Sequence, residues 1–323
     1  MIKAVRVHEV GSPEVMRIEE IELPAPGAGE VLVRNHAVGV NFIDVYFRTG
    51  HYAAPQTPFV PGNEAAGEIV EAGKGVKGFK VGDRVAYLAS LGSYAEARIV
   101  PAERLVALPK SISYETGAAM LLKGLTAQYL LRQTYKVKKG DRILVHAAAG
   151  GTGLILCQWA NALGAWVIGT VGSAEKAKLA KKVGAKDIIL YREEDFAARV
   201  KEITKGKLCD AVYDGVGRAT FPASLDCLRP RGMFVSFGSA SGPIEAFDLR
   251  LLTQKGSLYA TRPTLNTYAA DPRDLQKMAR DLIRAVKNGT LEIPITAHPL
   301  KDVVAVHHAL EARQTTGSIV LLP

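Results

Sequence analysis

Cysteine is scarce in this 323-residue chain: Cys157, Cys209 and Cys227 are the whole set, and no two form a C-x-x-C pair. An odd, scattered set of three excludes a disulfide framework and suits a reducing compartment, so the cytoplasm is the expected location. No apolar run approaches the ~20 residues that span a bilayer. The opening Met1-Ile2-Lys3-Ala4-Val5-Arg6 is charged and strand-like rather than a signal peptide, so no membrane insertion is expected. Clustered basic charge is also missing. The net charge of +9 is spread along the chain, without a basic run interleaved with aromatics. That disfavours nucleic acid as a partner and leaves solubility, or attraction of phosphorylated small molecules, as the use of the charge.

What is present reads as a globular protein of two domains, 48% hydrophobic and 23% charged. The first ~120 residues look strand-rich, with short apolar runs (31–33, 67–71, 85–88) between Gly- and Pro-rich turns. From 124 to 260 strands alternate with helices: strands at 142–146, 166–171, 187–190, 211–214 and 232–237, helices at 154–163, 174–183 and 194–204. That alternation implies a parallel, doubly wound α/β sheet. Near the end, Asp271-Pro272 starts a helix whose Leu275, Met278, Leu282, Ile283 and Val286 keep helical spacing up to Gly289, and a strand at 318–322 closes the chain. The simplest architecture inserts the α/β domain between the two ends of a β-rich one.

The first βα turn of the inserted domain is Ala147-Ala148-Ala149-Gly150-Gly151-Thr152-Gly153. Backbone without side chains lets a diphosphate approach, and the following helix offers free N–H groups and the positive end of its dipole. A dinucleotide site is the leading reading; a tight turn without a ligand is the alternative, because the loop is not G-x-G-x-x-G. At the end of the second strand an acid would bind the 2′-hydroxyl of NAD and repel a 2′-phosphate. Here that place reads Thr170-Val171-Gly172-Ser173, with Lys176 three residues on. NADPH is therefore expected over NADH. Glu175 complicates the assignment, and the alternative is that Ser173 only caps its helix while Lys176 is a surface charge.

Several segments together resemble the zinc-independent NADPH:quinone oxidoreductases, the zeta-crystallin-like branch of the medium-chain dehydrogenase/reductase superfamily. They are Val40-Asn41-Phe42-Ile43-Asp44-Val45-Tyr46, Pro61-Gly62-Asn63-Glu64-Ala65-Ala66-Gly67, Val81-Gly82-Asp83-Arg84-Val85, Lys123-Gly124-Leu125-Thr126-Ala127, 146–153, Tyr213-Asp214-Gly215-Val216-Gly217 and Val235-Ser236-Phe237-Gly238. The resemblance implies a GroES-like catalytic domain (1–123 plus 264–323), a Rossmann NADPH-binding domain (124–263), a small-molecule quinone substrate, and a homodimer joined through a sheet edge near Gly256-Ser257-Leu258-Tyr259. It implies cofactor contacts from Lys123 and Thr126, from Ala149, Gly150, Gly151, Thr152 and Gly153, from Gly172, Ser173, Lys176 and Tyr191, from Phe237, Gly238 and Ser239, and from Arg262 and Gly317. Asn41, Tyr46 and Tyr52 are the candidates for the acceptor side, with Tyr52 also near the nicotinamide half.

Catalytic zinc takes Cys, His and acidic ligands. Asn63 stands where the zinc alcohol dehydrogenases of the same superfamily carry histidine, no cysteine lies near Asn41, and His307-His308 point different ways on an expected helix. No metal is expected, and Glu64 is read as a buttress. Without a Lewis acid, the acceptor must already be electrophilic, as a quinone is. The family includes one-electron quinone reducers, so the number of electrons per step stays open here. Two alternatives remain: an NADPH-dependent reductase of enals or enones, and a crystallin-like protein that binds AU-rich RNA.

Overall fold

A computed structural model describes residues 1–54 and 56–323. The chain divides into two compact units. One holds 1–125, 271–287 and 293–323, and the other holds 126–270 and 288–292.

The first unit holds a two-stranded antiparallel sheet, Ile2–Val7 with Met16–Ile21, and one large sheet. The strands of the large sheet run in the order Ile295–Pro299, Ser318–Leu322, Glu30–Val40, Glu64–Ala72, Arg84–Leu88, Leu105–Ala107, and Ala97–Pro101 pairs beside Glu30–Val40. Period-two alternation explains the first part of the long strand, where Val31, Val33, Asn35 and Ala37 are buried and Arg34 and His36 face outward; past the register shift at Asn35/Ala37 both faces are covered, burying Val38 and Val40 as well. Those valines join Val5, Ile69, Val85, Tyr87, Leu105 and Ile319 in one core. Ser318–Leu322, from the far end of the chain, pairs antiparallel with Glu30–Val40. The two chain ends therefore share one sheet, as the expected insertion requires.

The second unit is a six-stranded sheet of Asp187–Leu190, Trp166–Val171, Arg142–Val145, Cys209–Asp214, Leu228–Ser236 and Tyr259–Thr261. Every neighbouring pair is parallel. Numbered along the chain the order is 3-2-1-4-5-6, the doubly wound Rossmann arrangement, in which the strand order reverses beside the first strand. Ligands of such sheets sit at the carboxyl ends of the strands at that reversal, which is where the 147–153 turn begins.

Helix Tyr114–Tyr129 runs from the first unit into the second. The sequence pattern signals no helix here, and Gly117 and Gly124 lower the helix propensity of the segment. They are packing residues: a Cβ on Gly117 would lie 2.9 Å from the Leu108 side chain, and one on Gly124 would lie 2.4 Å from that of Leu282. Two similar segments, Gly82-Asp83-Arg84 and Gly140-Asp141-Arg142, are matching turns. Asp83 accepts the N–H of Lys80, and Asp141 that of Lys138, just before a strand in each case.

Candidate active site

The chemistry-bearing residues of the first unit gather where strand Glu30–Val40 gives way to helix Phe42–Arg48. Asn41 caps that helix, and its backbone N–H donates to Asp44 Oδ2 at 2.8 Å. An acid at the third helical position satisfies an otherwise unpaired donor and complements the helix dipole. The Asn41 side chain is fixed separately, its Nδ2 donating to Glu64 Oε1 at 2.7 Å.

Glu64 is fully buried and tied on both oxygens. Oε1 also lies 3.5 Å from Lys123 Nζ, and Oε2 accepts the N–H of Leu122 at 2.6 Å. Lys123, 6% exposed, donates in addition to the carbonyl of Val40 at 3.1 Å. A buried carboxylate opposite a buried ammonium is sustainable only with such hydrogen bonds. Glu64 thus binds the strand, the Asn41 amide and the Tyr114–Tyr129 helix into one rigid centre.

Further along the helix that Asn41 caps is an aromatic group. Tyr46, on the same helix, meets Tyr52 and His51 edge-on, with both ring centroids 5.1 Å away. His51 stacks on Tyr52 at 5.1 Å and 20°. The N–H of Tyr52 donates to the carbonyl of Tyr46. Tyr46, on the helix that Asn41 caps, thus meets Tyr52, and His51 is an aromatic neighbour that the sequence reading missed. Its signal was adjacency to Tyr52 alone.

In the second unit, Gly150 caps helix Gly151–Ala162. Ala147 carries a positive φ of 53°, which folds its carbonyl back to accept the N–H of Gly150 at 2.9 Å. A Cβ on Gly153 would come within 2.2 Å of that carbonyl oxygen, whereas one on Gly150 would meet nothing closer than 3.3 Å. The loop is closed by backbone on its inner side and free of side chains on its outer side. Ala149 is buried, and Gly151 and Thr152 are half-buried in the first turn.

At the end of the second strand, Ser173 caps helix Ala174–Lys182, its hydroxyl accepting the N–H of Lys176 at 3.4 Å. The capping role is therefore present. Backbone and Ser173 hydrogen bonds hold the Glu175 carboxyl below its usual range. A Cβ on Gly172 would lie 2.8 Å from Tyr191 Oη and 3.4 Å from Arg192 Nε. The structure thus gathers Gly172, Ser173, Lys176 and Tyr191 and adds Arg192, which the sequence reading passed over although it follows Tyr191 directly.

At the ends of the fourth and fifth strands, Asp214 Oδ1 accepts the N–H groups of Val216 and Gly217 at 2.8 and 3.0 Å. The Phe237 ring and Gly238 press on Gly215. Arg262 donates to the carbonyl of Ser236 and to Ser239 Oγ, both at 3.1 Å. Behind these turns His146 joins Thr170 Oγ1 and Ser224 Oγ, each at 3.0 Å, and Ser224 donates to Asp214 at 3.0 Å. Burial pushes the His146 imidazole down, against the pull of Asp214. Three strand ends are thereby tied together by one neutral side chain. Thr126 is buried on the long helix. Gly317, with φ 63°, belongs to the first unit, where a Cβ would meet the carbonyl oxygen of Pro294 at 2.6 Å. Its backbone conformation has a local reason in the entry to the last strand.

Zinc does not fit these residues. Both oxygens of Glu64 are occupied by Lys123, Asn41 and Leu122, and Asn63 spends its amide on the carbonyl of Ala89 at 3.1 Å. His307 is buried and His308 exposed, so the two rings diverge. Cys157, Cys209 and Cys227 are buried free thiols, pushed by burial to about 12 for the first two and higher for the third. Among the described residues no three His, Cys, Asp or Glu side chains come together as a metal site, and no helix is long and apolar enough to cross a membrane.

Residues 27–110 match the alcohol dehydrogenase GroES-like domain, and residues 151–282 match the zinc-binding dehydrogenase family. The second description names a metal whose ligands the described residues do not assemble. Over the full length of both chains the protein is 51% identical to the quinone oxidoreductase of Pseudomonas aeruginosa. It is 46% identical to the 2-haloacrylate reductase of a Burkholderia species, over 100% of this chain and 99% of that one. The crystal structure of Escherichia coli quinone oxidoreductase complexed with NADPH superposes with a TM-score of 0.98 at 47% identity, covering 99% of this chain and 100% of that one.

Proposed function

The chain belongs to the quinone oxidoreductase family of the medium-chain dehydrogenase/reductase superfamily and is an oxidoreductase; from that premise we propose that it reduces a small quinone with NADPH. The observation that carries the cofactor half is the 147–153 loop, closed on the inside by the Ala147 carbonyl and bare on the outside, at the reversal of a 3-2-1-4-5-6 sheet. Gly150, Gly151, Thr152 and Gly153 would take the diphosphate on backbone N–H groups. Lys176, Ser173, Tyr191 and Arg192 would take the 2′-phosphate, with no acid in the Thr170-Val171-Gly172-Ser173 run to repel it. When bound, NADPH supplies the hydride.

The remaining work falls to the chain itself. Glu64 and Lys123 hold the Asn41 amide in one orientation, with its second Nδ2 hydrogen left for a carbonyl oxygen of the acceptor. Tyr46 and Tyr52 give a flat ring apolar faces to lie against. Residues 1–123 and 264–323 would serve as the catalytic domain and 124–263 as the cofactor domain, although 264–270 and 288–292 group with the second compact unit and 124–125 with the first. A homodimer would form through the exposed edge strand Tyr259–Thr261, where Tyr259 is 59% exposed, in the cytoplasm. Nucleic acid has no part in it.

Replacing Lys176 with alanine raises KM for NADPH about tenfold, the value of one charge-assisted hydrogen bond, and leaves KM for NADH unchanged. Equal effects on the two cofactors in steady-state assays remove the 2′-phosphate assignment. The likeness to a 2-haloacrylate reductase favours a second reading, reduction of an activated double bond. NADPH oxidation measured with 1,4-benzoquinone and with a 2-alkenal separates the two. Turnover with the quinone is expected, and turnover with the alkenal alone replaces the first reading with the second.

A further inference from the structure

Beneath Asn41 lies a run of buried polar groups that the proposed reaction does not yet use. Asp44 and Tyr94 are fully inaccessible, and so is His307. They come from three parts of the first unit: helix Phe42–Arg48, the loop after strand Arg84–Leu88, and helix Val303–Glu311. Asp44 Oδ2 accepts the Asn41 N–H at 2.8 Å and lies 2.9 Å from Tyr94 Oη, which is in turn 3.1 Å from His307 Nε2. The outer atoms of the run, Asp44 Oδ1 and His307 Nδ1, have no hydrogen-bond partner.

Counting protons along this run gives two arrangements when a neutral Asp44 carries its proton on Oδ2, the oxygen that faces Tyr94, because a proton on Oδ1 would be a buried donor without a partner. Tyr94 has one hydrogen and two neighbours within bonding distance, so it donates to one and accepts from the other. With a proton on Asp44, the carboxyl donates to Tyr94, Tyr94 donates to Nε2, and neutral His307 carries its hydrogen on Nδ1. Without that proton all the bonds reverse: Nε2–H donates to Tyr94, and Tyr94 donates to the carboxylate. One proton gained or lost at Asp44 therefore turns the Tyr94 hydroxyl and switches the His307 tautomer. It also changes the Asn41 contact, because an ionised Oδ2 accepts the Asn41 N–H far more strongly than a carboxylic hydroxyl oxygen does.

We propose that Asp44, Tyr94 and His307 form a buried one-proton switch that sets how firmly Asn41 is held, making all three positioning residues for the acceptor side. The functional consequence rests on the quinone reductase reading; the switch itself does not. The surrounding charges decide which form is filled. Burial raises the Asp44 carboxyl to about 7, helped by Glu64 and opposed by the Asn41 and Tyr94 hydrogen bonds and by Lys123. Burial lowers His307 to about 3, helped by Arg48 and His308. Arg48 is itself paired with Glu311. His307 thus stays neutral while Asp44 titrates, so the switch works by tautomer exchange and not through a buried ion pair.

The test is a pH titration of the full-length protein by NMR, following the Asp44 carboxyl carbon, the His307 ring nitrogens and the Asn41 amide. All three are expected to move with one midpoint near neutrality, with His307 passing from the Nδ1–H to the Nε2–H tautomer. Tyr94→Phe is expected to raise the Asp44 midpoint by about half a unit or more, because ionised Asp44 loses a donor, and to leave His307 indifferent to pH. The kcat/KM inflection with NADPH and benzoquinone is expected to shift with the Asp44 midpoint. A His307 tautomer that stays constant between about pH 5 and 9, or an Asn41 amide that ignores Asp44, overturns the switch in the wild-type protein alone, even if Tyr94→Phe fails to fold. An unmoved kcat/KM inflection overturns the positioning role. Three resonances that move together without any quinone turnover uphold the switch and sink the quinone reading instead.

Discussion

Gly153→Ala lowers kcat/KM for NADPH by about two orders of magnitude. The added methyl would sit 2.2 Å from the Ala147 carbonyl oxygen and 2.9 Å from Ala148 Cα, both backbone atoms with no rotamer to yield. Relief needs a loop shift of roughly 1 Å, and displacement of that size at a positioned reactant costs about 10²-fold. The Ala147–Gly150 hydrogen bond, which closes the loop, lies in the path of the shift. The loss is expected mainly in KM for NADPH, with the thermal midpoint lowered by the overpacking as well. Steady-state kinetics in both cofactor and quinone check it. An unchanged KM for NADPH removes the loop from the cofactor site.

The second large effect is on stability. Glu64→Leu is expected to cost about 3–5 kcal/mol, the usual penalty for stranding one member of a buried ion pair. Lys123 is left as a buried ammonium that still donates to the Val40 carbonyl, and the Leu122 N–H and Asn41 amide lose their acceptor. Adding Lys123→Met removes the stranded charge and is expected to recover most of the loss. Urea midpoints of the two single variants and the double variant measure the coupling. A loss below about 1 kcal/mol for Glu64→Leu shows that Glu64 is not the buttress.

The Rossmann unit was legible from the sequence because its signals are local. Apolar runs such as Ile143-Leu144-Val145 and Val167-Ile168, helix starts at Ser173 and stops at Gly184, and the small-residue loop each report their own few residues. The strands 166–171, 187–190 and 318–322 fall where the pattern put them. The helix Tyr114–Tyr129 was not legible, since Gly117 and Gly124 mean close packing against Leu108 and Leu282, residues that sequence order does not bring near.

The sequence by itself determined which residue types are available: no acid after Val171, no histidine at Asn63, too few cysteines for a metal lobe, and an acid three residues beyond Asn41. Tertiary structure decided what those residues do. Asn41 and Glu64 are 23 positions apart, Glu64 and Lys123 are 59 apart, and Tyr94 and His307 are 213 apart. No spacing rule joins them; two sheet neighbours, a long helix and a helix near the chain's end do. Burial then changes their chemistry: Asp44, one acid among many in the sequence, becomes a carboxyl raised to about 7 because folding removes its water, and the Asn41 and Tyr94 hydrogen bonds offset only part of that rise.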